Sequence, residues 1–150
     1  MRLMNLLLVF CLVAGGSASN GLQSNDPEAH FNLGNALDDK GDLDGAIAEY
    51  REVLRLKPDY FEAHNSLGNA LKHKGDLDGA IAEYRQVVRL KPDSPNAHYN
   101  LGIALADKGD LDGAIAEYRQ ALRLKPNFPD AQNNLAHALK LKGGVDGKHR

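Results

Sequence analysis

Three histidines recur at a fixed spacing, and they are the residues of this chain that could first suggest chemistry. They are His30, His64 and His98, which follow one another at intervals of 34 residues. Imidazole nitrogens bind zinc, but all ligands of one ion must lie about 2 Å from it. If each histidine belongs to a separate unit of a helical stack, neighbouring histidines lie on the order of 10 Å or more apart. The spacing therefore favours hydrogen bonding between helices over metal binding.

The sequence DLDG, which also occurs three times, has some likeness to a calcium-binding loop. Aligned on the pattern DxDxDG, the first ligand position holds Lys40 and the position of the bidentate glutamate holds Arg51. Neither side chain can coordinate calcium. Carboxylates that cap the start of a helix explain these aspartates more simply. We therefore expect no metal site.

Motifs for catalysis and for cofactor binding are absent from the sequence. No GxxxxGK[ST] or GxGxxG phosphate-binding motif occurs, and Ser24, Ser66 and Ser94 have no local base pattern. The only cysteine, Cys11, lies in an apolar run near the N-terminus. The net charge of −2 favours neither nucleic acid nor an anionic membrane as a partner. The sequence predicts a protein that is not an enzyme and needs no cofactor.

The elements that carry these residues are copies of one unit. KGDLDGAIAEYR occurs three times without change, and RLKP occurs three times at the same interval of 34 residues. A fixed period of this size is typical of a stacked array of supersecondary units. The boundaries we predict are 27–60, 61–94 and 95–128 for three full units and 129–142 for a half unit.

Each full unit has the pattern of two helices. In the first unit, spacings of three and four predict a buried stripe on each helix: Ala29, Leu33, Ala36 and Leu37, then Ala46, Ile47, Tyr50, Val53 and Leu54. Gly41 predicts the cap that ends the first helix. Asp42 and Asp44 predict the start of the second helix, and Pro58 its end.

Small residues have a packing role in this scheme. Gly34 and Ala46, with their counterparts in later units, allow helix backbones to approach closely. Gly45, in the first turn of the second helix, is expected to weaken that helix by about 0.5–1 kcal/mol relative to alanine. The half unit is expected to cover the end of the stack through its apolar residues Ala131, Leu135, Ala138 and Leu139.

These markers resemble the tetratricopeptide repeat (TPR). The period is 34, Leu33, Gly34 and Leu37 stand in the first helix, and Ala46, Tyr50, Val53 and Pro58 follow in and after the second. The resemblance covers residues 27–142 and implies an all-α, right-handed superhelix of three helical hairpins plus a capping helix. In this family the first helices line a concave groove that takes up an extended or helical peptide.

The resemblance also implies which residues face the groove. They are Phe31, Asn32, Asn35, Asn65, Ser66, Asn69, Tyr99, Asn100, Ile103, Asn133, Asn134 and His137. Asn32, Asn100 and Asn134 fall on one line, interrupted by Ser66, which is similar to the asparagine ladder in the repeats of O-linked N-acetylglucosamine transferases. One amide offers donors and an acceptor together, so it can match a peptide backbone whatever its side chains.

The N-terminal segment differs from the array. Met1 and Arg2 precede the apolar run 3–14, which is followed by small residues up to Ser19. This order is typical of a secretory signal, so we predict a signal peptide at 1–19 and an exported mature protein, secreted or periplasmic. The alternative is a membrane anchor, although the run is shorter than the roughly 20 apolar residues that span a bilayer. We expect a flexible lead-in at 20–26 and a flexible tail at 143–150.

Three hypotheses for function follow. The leading one is a non-catalytic interaction scaffold that binds a peptide or protein partner in the groove, with no nucleic acid and no membrane bound after signal cleavage. The second is a structural module that forms homo-oligomers through the open ends of the stack. The third is a detached substrate-recognition part of a glycosyltransferase-like system. A chaperone-tail clamp is disfavoured, because Phe31, Asn65 and Tyr99 stand where such clamps carry lysine and arginine.

Overall fold

The computed structural model describes residues 25–146, and within them the chain forms seven α-helices and no strand. This confirms the predicted all-α class. The predicted signal peptide, the lead-in up to residue 24 and residues 147–150 lie outside the described part. The helices are α1 (Pro27–Asp39), α2 (Leu43–Leu56), α3 (Phe61–His73), α4 (Leu77–Leu90), α5 (Pro95–Lys108), α6 (Leu111–Leu124) and α7 (Pro129–Asp146).

The helices pack in chain order as three hairpins and one added helix. The most extensive contacts are within the pairs α1 and α2, α3 and α4, and α5 and α6. Each second helix also packs against the first helix of the following hairpin, and α1 touches α3 as α5 touches α7. The odd-numbered helices thus form one layer and the even-numbered helices the other, as the predicted stack requires.

The loop inside each hairpin is short because its residues cap both helices. Gly41, with φ of +79°, takes the left-handed conformation after the end of α1. Asp42 caps α2 by accepting a hydrogen bond from the backbone N–H of Gly45 at 3.0 Å. A Cβ on Gly45 would lie 2.6 Å from Oδ2 of Asp42. The glycine that we expected to weaken the helix therefore makes room for its cap.

Asp44 has a different role from the predicted one. It lies in the first turn of α2, where a carboxylate suits the helix dipole, but its side chain pairs with Lys74 of the next unit. The equivalent pairs are Asp78 with Lys108 and Asp112 with Lys142. These ion pairs are exposed, so each contributes at most about 1 kcal/mol.

The core of each hairpin is a tyrosine packed against a glycine. Tyr84 of α4 is 2% exposed, and a Cβ on Gly68 of α3 would lie 2.9 Å from its ring. Tyr50 with Gly34 and Tyr118 with Gly102 repeat this arrangement. The close approach predicted for these glycines is thus an approach of helix backbone to an aromatic ring.

Two predicted core residues at the ends of the stack are exposed. Leu33 in α1 is 48% exposed, whereas its counterparts Leu67 and Leu101 are 2% and 3% exposed. The reason is that a preceding second helix covers Leu67 and Leu101, and no such helix covers α1. Leu139 in α7 is 42% exposed because the half unit has no second helix of its own.

The last helix is longer than predicted. α7 continues through residues 143–146, which we expected to belong to the flexible tail. Glycine in a helix costs about 1 kcal/mol relative to alanine but does not block the backbone hydrogen bonds. Gly143 and Gly144 therefore do not end this helix, which Lys142 ties to Asp112 of α6 just before them.

Candidate functional site

The predicted groove residues stand on the layer of first helices, and two cavities open there. Asn65, Ser66, Tyr99 and Asn100 line a cavity of about 670 Å³ between α3, α5 and the start of α7. Ile103, Asn134 and His137 line a smaller one of about 210 Å³ between α5 and α7. The remaining predicted residues, Phe31, Asn32, Asn35, Asn69 and Asn133, line neither of these two cavities.

The amides of the groove are bonded to each other across units. The side-chain nitrogen of Asn100 donates to Oδ1 of Asn65 at 3.0 Å, and that of Asn134 donates to the hydroxyl of Tyr99 at 3.2 Å. Each of these bonds fixes the orientation of an amide that still has a second N–H and an acceptor oxygen. Asn32, at the open end of the stack, is exposed to solvent.

Asn35 and Asn69 have a structural role that the sequence did not suggest. Oδ1 of Asn35 accepts a hydrogen bond from the Tyr50 hydroxyl at 2.8 Å, and Oδ1 of Asn69 accepts one from Tyr84 at 2.6 Å. The third unit has Ile103 at this place. These two amides therefore hold the core tyrosines, and only their nitrogens remain to meet a ligand.

The tyrosine hydroxyls under the groove are donors and not acids at neutral pH. Burial, with the nearby charge of Asp107, raises the pKa of Tyr84 to about 12. Burial, Tyr99 and Asp107 raise the pKa of Tyr118 to about 12. A phenol with such a pKa keeps its proton, so these groups supply hydrogen bonds rather than a nucleophile.

The larger cavity has a wall that sequence reasoning missed. Phe61 and Phe128 add aromatic surface beside Tyr99, and the rings of Tyr99 and Phe128 lie 4.9 Å apart. Glu62 and Asp130 add carboxylates. Lys91, whose ammonium lies 4.6 Å from the centre of the Phe61 ring, adds a positive charge. Phe61 and Phe128 start or precede first helices, and only packing brings them to one cavity.

The three histidines join the two helices of each hairpin, as predicted. Nδ1 of His30, His64 and His98 lies 2.5, 2.6 and 2.6 Å from Oε2 of Glu49, Glu83 and Glu117, respectively. The signal for these pairs was present, since each glutamate follows its histidine by 19 residues. Within the described residues, no group of three His, Cys, Asp or Glu is placed to hold a metal ion.

His64 is surrounded by acceptors on both sides of its ring. Besides Glu83 at Nδ1, the carbonyl oxygen of Pro58 lies 2.9 Å from Nε2. A carboxylate and a carbonyl both accept, so a ring that satisfies both must carry two protons and a positive charge. The hydrogen bond to Glu83 raises the pKa of His64 above 6.5, against burial and Arg89, which lower it.

The half unit shows the same position without the charge. Gln132 takes the place of the histidine, and its side-chain nitrogen donates to the carbonyl of Pro126 at 2.9 Å. The carbonyl of the RLKP proline is thus held in the same way by His64, His98 and Gln132. These contacts fix the approach of each unit to the next and stand apart from the groove.

Sequence comparison identifies one repeat family. The sequence model described as the TPR repeat matches residues 35–75, 68–109 and 102–143, which together span most of the described chain. A comparison with curated proteins gives no significant match.

Solved structures with the same architecture include three informative ones. MamA from Desulfovibrio magneticus RS-1 is 28% identical over 80% of this chain and 68% of its own, with a TM-score of 0.75. A mutant of the O-GlcNAc transferase from Thermobaculum terrenum is 29% identical over 75% of this chain and 22% of its own, with a TM-score of 0.66. This chain therefore spans about a fifth of that enzyme.

A third structure shares the fold at lower identity. It is the first TPR domain of Spaghetti (RPAP3), bound to an HSP90 peptide, with 22% identity over 80% of this chain and 95% of its own. Its TM-score is 0.75. In the part of the chain that the structure describes, none of the helices has the length and hydropathy needed to cross a bilayer.

Proposed function

This chain belongs to the tetratricopeptide repeat family, and from that premise we propose that it is a non-catalytic scaffold that binds a peptide segment of a partner on its first helices. The observation that carries the proposal is the 670 Å³ cavity lined by Asn65, Ser66, Tyr99 and Asn100. It combines amides, a hydroxyl and aromatic rings on one open surface. Such a combination suits an extended peptide, whose backbone needs both donors and acceptors.

The amide network supports backbone recognition in particular. Asn100 is held by Asn65, and Asn134 by Tyr99, so neither amide has to be ordered when a peptide binds. A pre-oriented group loses less conformational entropy on binding. Hydrogen bonds contribute a net ~0.5–1.5 kcal/mol each, so amides alone do not reach the ~8 kcal/mol of a micromolar complex. The rings of Phe61, Tyr99 and Phe128 would supply the rest by apolar contact.

The test replaces the predicted line of amides. In the variant Asn32→Ala, Asn100→Ala and Asn134→Ala, we expect partners captured from the native cell to be reduced at least fivefold in quantitative mass spectrometry. The matched control is Gln86→Ala with Gln120→Ala, which removes amides from the second helices. Capture should remain unchanged in this control, and circular dichroism should show folded helices in both variants. Equal capture by the two variants would show that the groove assignment is wrong.

A second candidate, self-association, is favoured by the exposed leucines at the ends of the stack. Leu33 on α1 and Leu139 and Leu141 on α7 are 48%, 42% and 46% exposed. Homo-oligomers that use these faces would show a mass that rises with concentration in sedimentation, and Leu139→Gln with Leu141→Gln would reduce it. A monomer at every concentration would exclude this candidate.

Export is the proposal that follows from the N-terminal segment. The order of a basic start, an apolar run and small residues supports cleavage near Ser19. Intact mass of the protein recovered outside the cytoplasm should lack roughly the first 19 residues. The third candidate, a recognition part of a glycosyltransferase-like system, is supported by the similarity to the transferase repeats. It would act only together with a separate catalytic domain.

A further inference from the structure

The first helices carry more negative charge than the protein as a whole. Their side chains on the groove side of the stack include six carboxylates and two lysines, and the whole chain has a net charge of only −2. The carboxylates are Glu28, Asp38, Asp39, Glu62, Asp107 and Asp130, and the lysines are Lys72 and Lys140. Two further lysines, Lys108 and Lys142, are engaged by Asp78 and Asp112 of the second helices.

The structure places these carboxylates at the candidate site. Glu62 and Asp130 line the 670 Å³ cavity, and Asp107 lines the neighbouring cavity of 210 Å³. Asp38 and Asp39 lie close enough to Tyr50 that their charges add to burial in raising the pKa of its hydroxyl. Negative charge therefore extends from the first unit of the stack to the last.

Helix stability does not explain three of these carboxylates. Asp38 and Asp39 are in the last turn of α1, and Asp107 is in the last turn of α5, where the negative end of the helix dipole disfavours an anion. By contrast, each second helix ends with an arginine, which suits its dipole. Residues that contradict a local rule without an evident structural gain are expected at functional sites.

We propose that the groove selects a partner segment that carries lysine or arginine side chains. This inference rests on the proposed function and specifies the chemistry of its ligand. The amides would hold the backbone of the segment, and the carboxylates would attract its cationic ends. The aliphatic stems of such side chains can lie on the rings of Tyr99 and Phe128. Lys91, on the wall of the same cavity, restricts cations to the edges that hold Glu62 and Asp130.

The test measures binding of two synthetic peptides to the full chain by calorimetry. Both are blocked ten-residue peptides of serine and glycine; one contains four lysines and the other contains four glutamates. At 50 mM NaCl, we expect the lysine peptide to bind at least tenfold more tightly than the glutamate peptide. Raising NaCl to 300 mM should reduce this ratio at least threefold, because exposed charges are then screened.

Matched variants locate the effect. Asp38→Asn with Asp39→Asn and Asp107→Asn should weaken the lysine peptide at least fivefold. Asp44→Asn with Asp78→Asn and Asp112→Asn removes the same number of charges from the second helices and should change its affinity less than twofold. Equal losses in the two variants would overturn the inference, as would equal binding of the two peptides or no measurable binding of the lysine peptide. Partners that depend on the groove amides but ignore the charge variant would overturn this inference alone and leave the proposed function standing.

Discussion

Replacing Gly68 with alanine is expected to destabilise the array by about 1–3 kcal/mol, the cost of overpacking a core. The added Cβ would lie 2.9 Å from Cε1 of Tyr84, well inside van der Waals contact. The ring cannot move away freely, because it is 2% exposed and its hydroxyl is bonded to Asn69 at 2.6 Å. The midpoint of urea denaturation, followed by circular dichroism, measures the loss.

The control for this prediction is Gly144→Ala. Gly144 is also in a helix, but a Cβ there would meet nothing within 4 Å. Since alanine has the higher helix propensity, this change should be neutral or stabilising by up to about 1 kcal/mol. If both substitutions shift the midpoint in the same direction and by the same amount, the contact of Gly68 with Tyr84 does not limit the packing.

Replacing His64 with alanine is expected to cost about 2–3 kcal/mol at pH 6, because the carboxylate of Glu83 and the carbonyl of Pro58 both lose their donor. The folded state raises the pKa of His64 above 6.5, chiefly through the hydrogen bond to Glu83. The stabilisation is therefore fully present below pH 6.5 and is lost as the pH rises through the folded pKa. Urea denaturation at pH 6 and pH 8.5 should show a smaller difference between wild type and variant at pH 8.5.

His64→Gln separates the charge from the hydrogen bond. Gln132 shows that a glutamine at this position can donate to the proline carbonyl. We expect this variant to keep roughly 1 kcal/mol of the stabilisation, as one hydrogen bond supplies, and to have a weaker dependence on pH. A difference between wild type and alanine variant that is the same at both pH values would contradict the assignment of a doubly protonated ring.

Much of the fold was predictable from the repeat alone. Because one sequence of 34 residues occurs three times, errors in reading one copy can be corrected by the others. Gly41 and Asp42 were assigned to the hairpin loop on local chemistry, and the structure confirms both roles. Local chemistry also misled us at Asp44, whose partner Lys74 lies in the next unit and is visible only when units are stacked.

The candidate site was less accessible to sequence reasoning. The resemblance to the family placed Asn65 and Asn100 on the same surface, and the structure brings them within hydrogen-bonding distance. Phe128 and Lys91 were not anticipated, because they come from loops whose position depends on how consecutive units are inclined. Asn35 was expected to meet a ligand, but its oxygen is taken by a tyrosine hydroxyl from the facing helix.

The sequence by itself determined the period, the two helices of each unit and their caps, since these depend on residues close together in the chain. Only the tertiary structure decided which copies of one position are buried. Leu33 and Leu67 have the same sequence context, yet one is exposed and the other buried, because only the second has a preceding helix to cover it. The repeat sequence specifies identical interfaces, and the ends of the stack leave two of them without a partner.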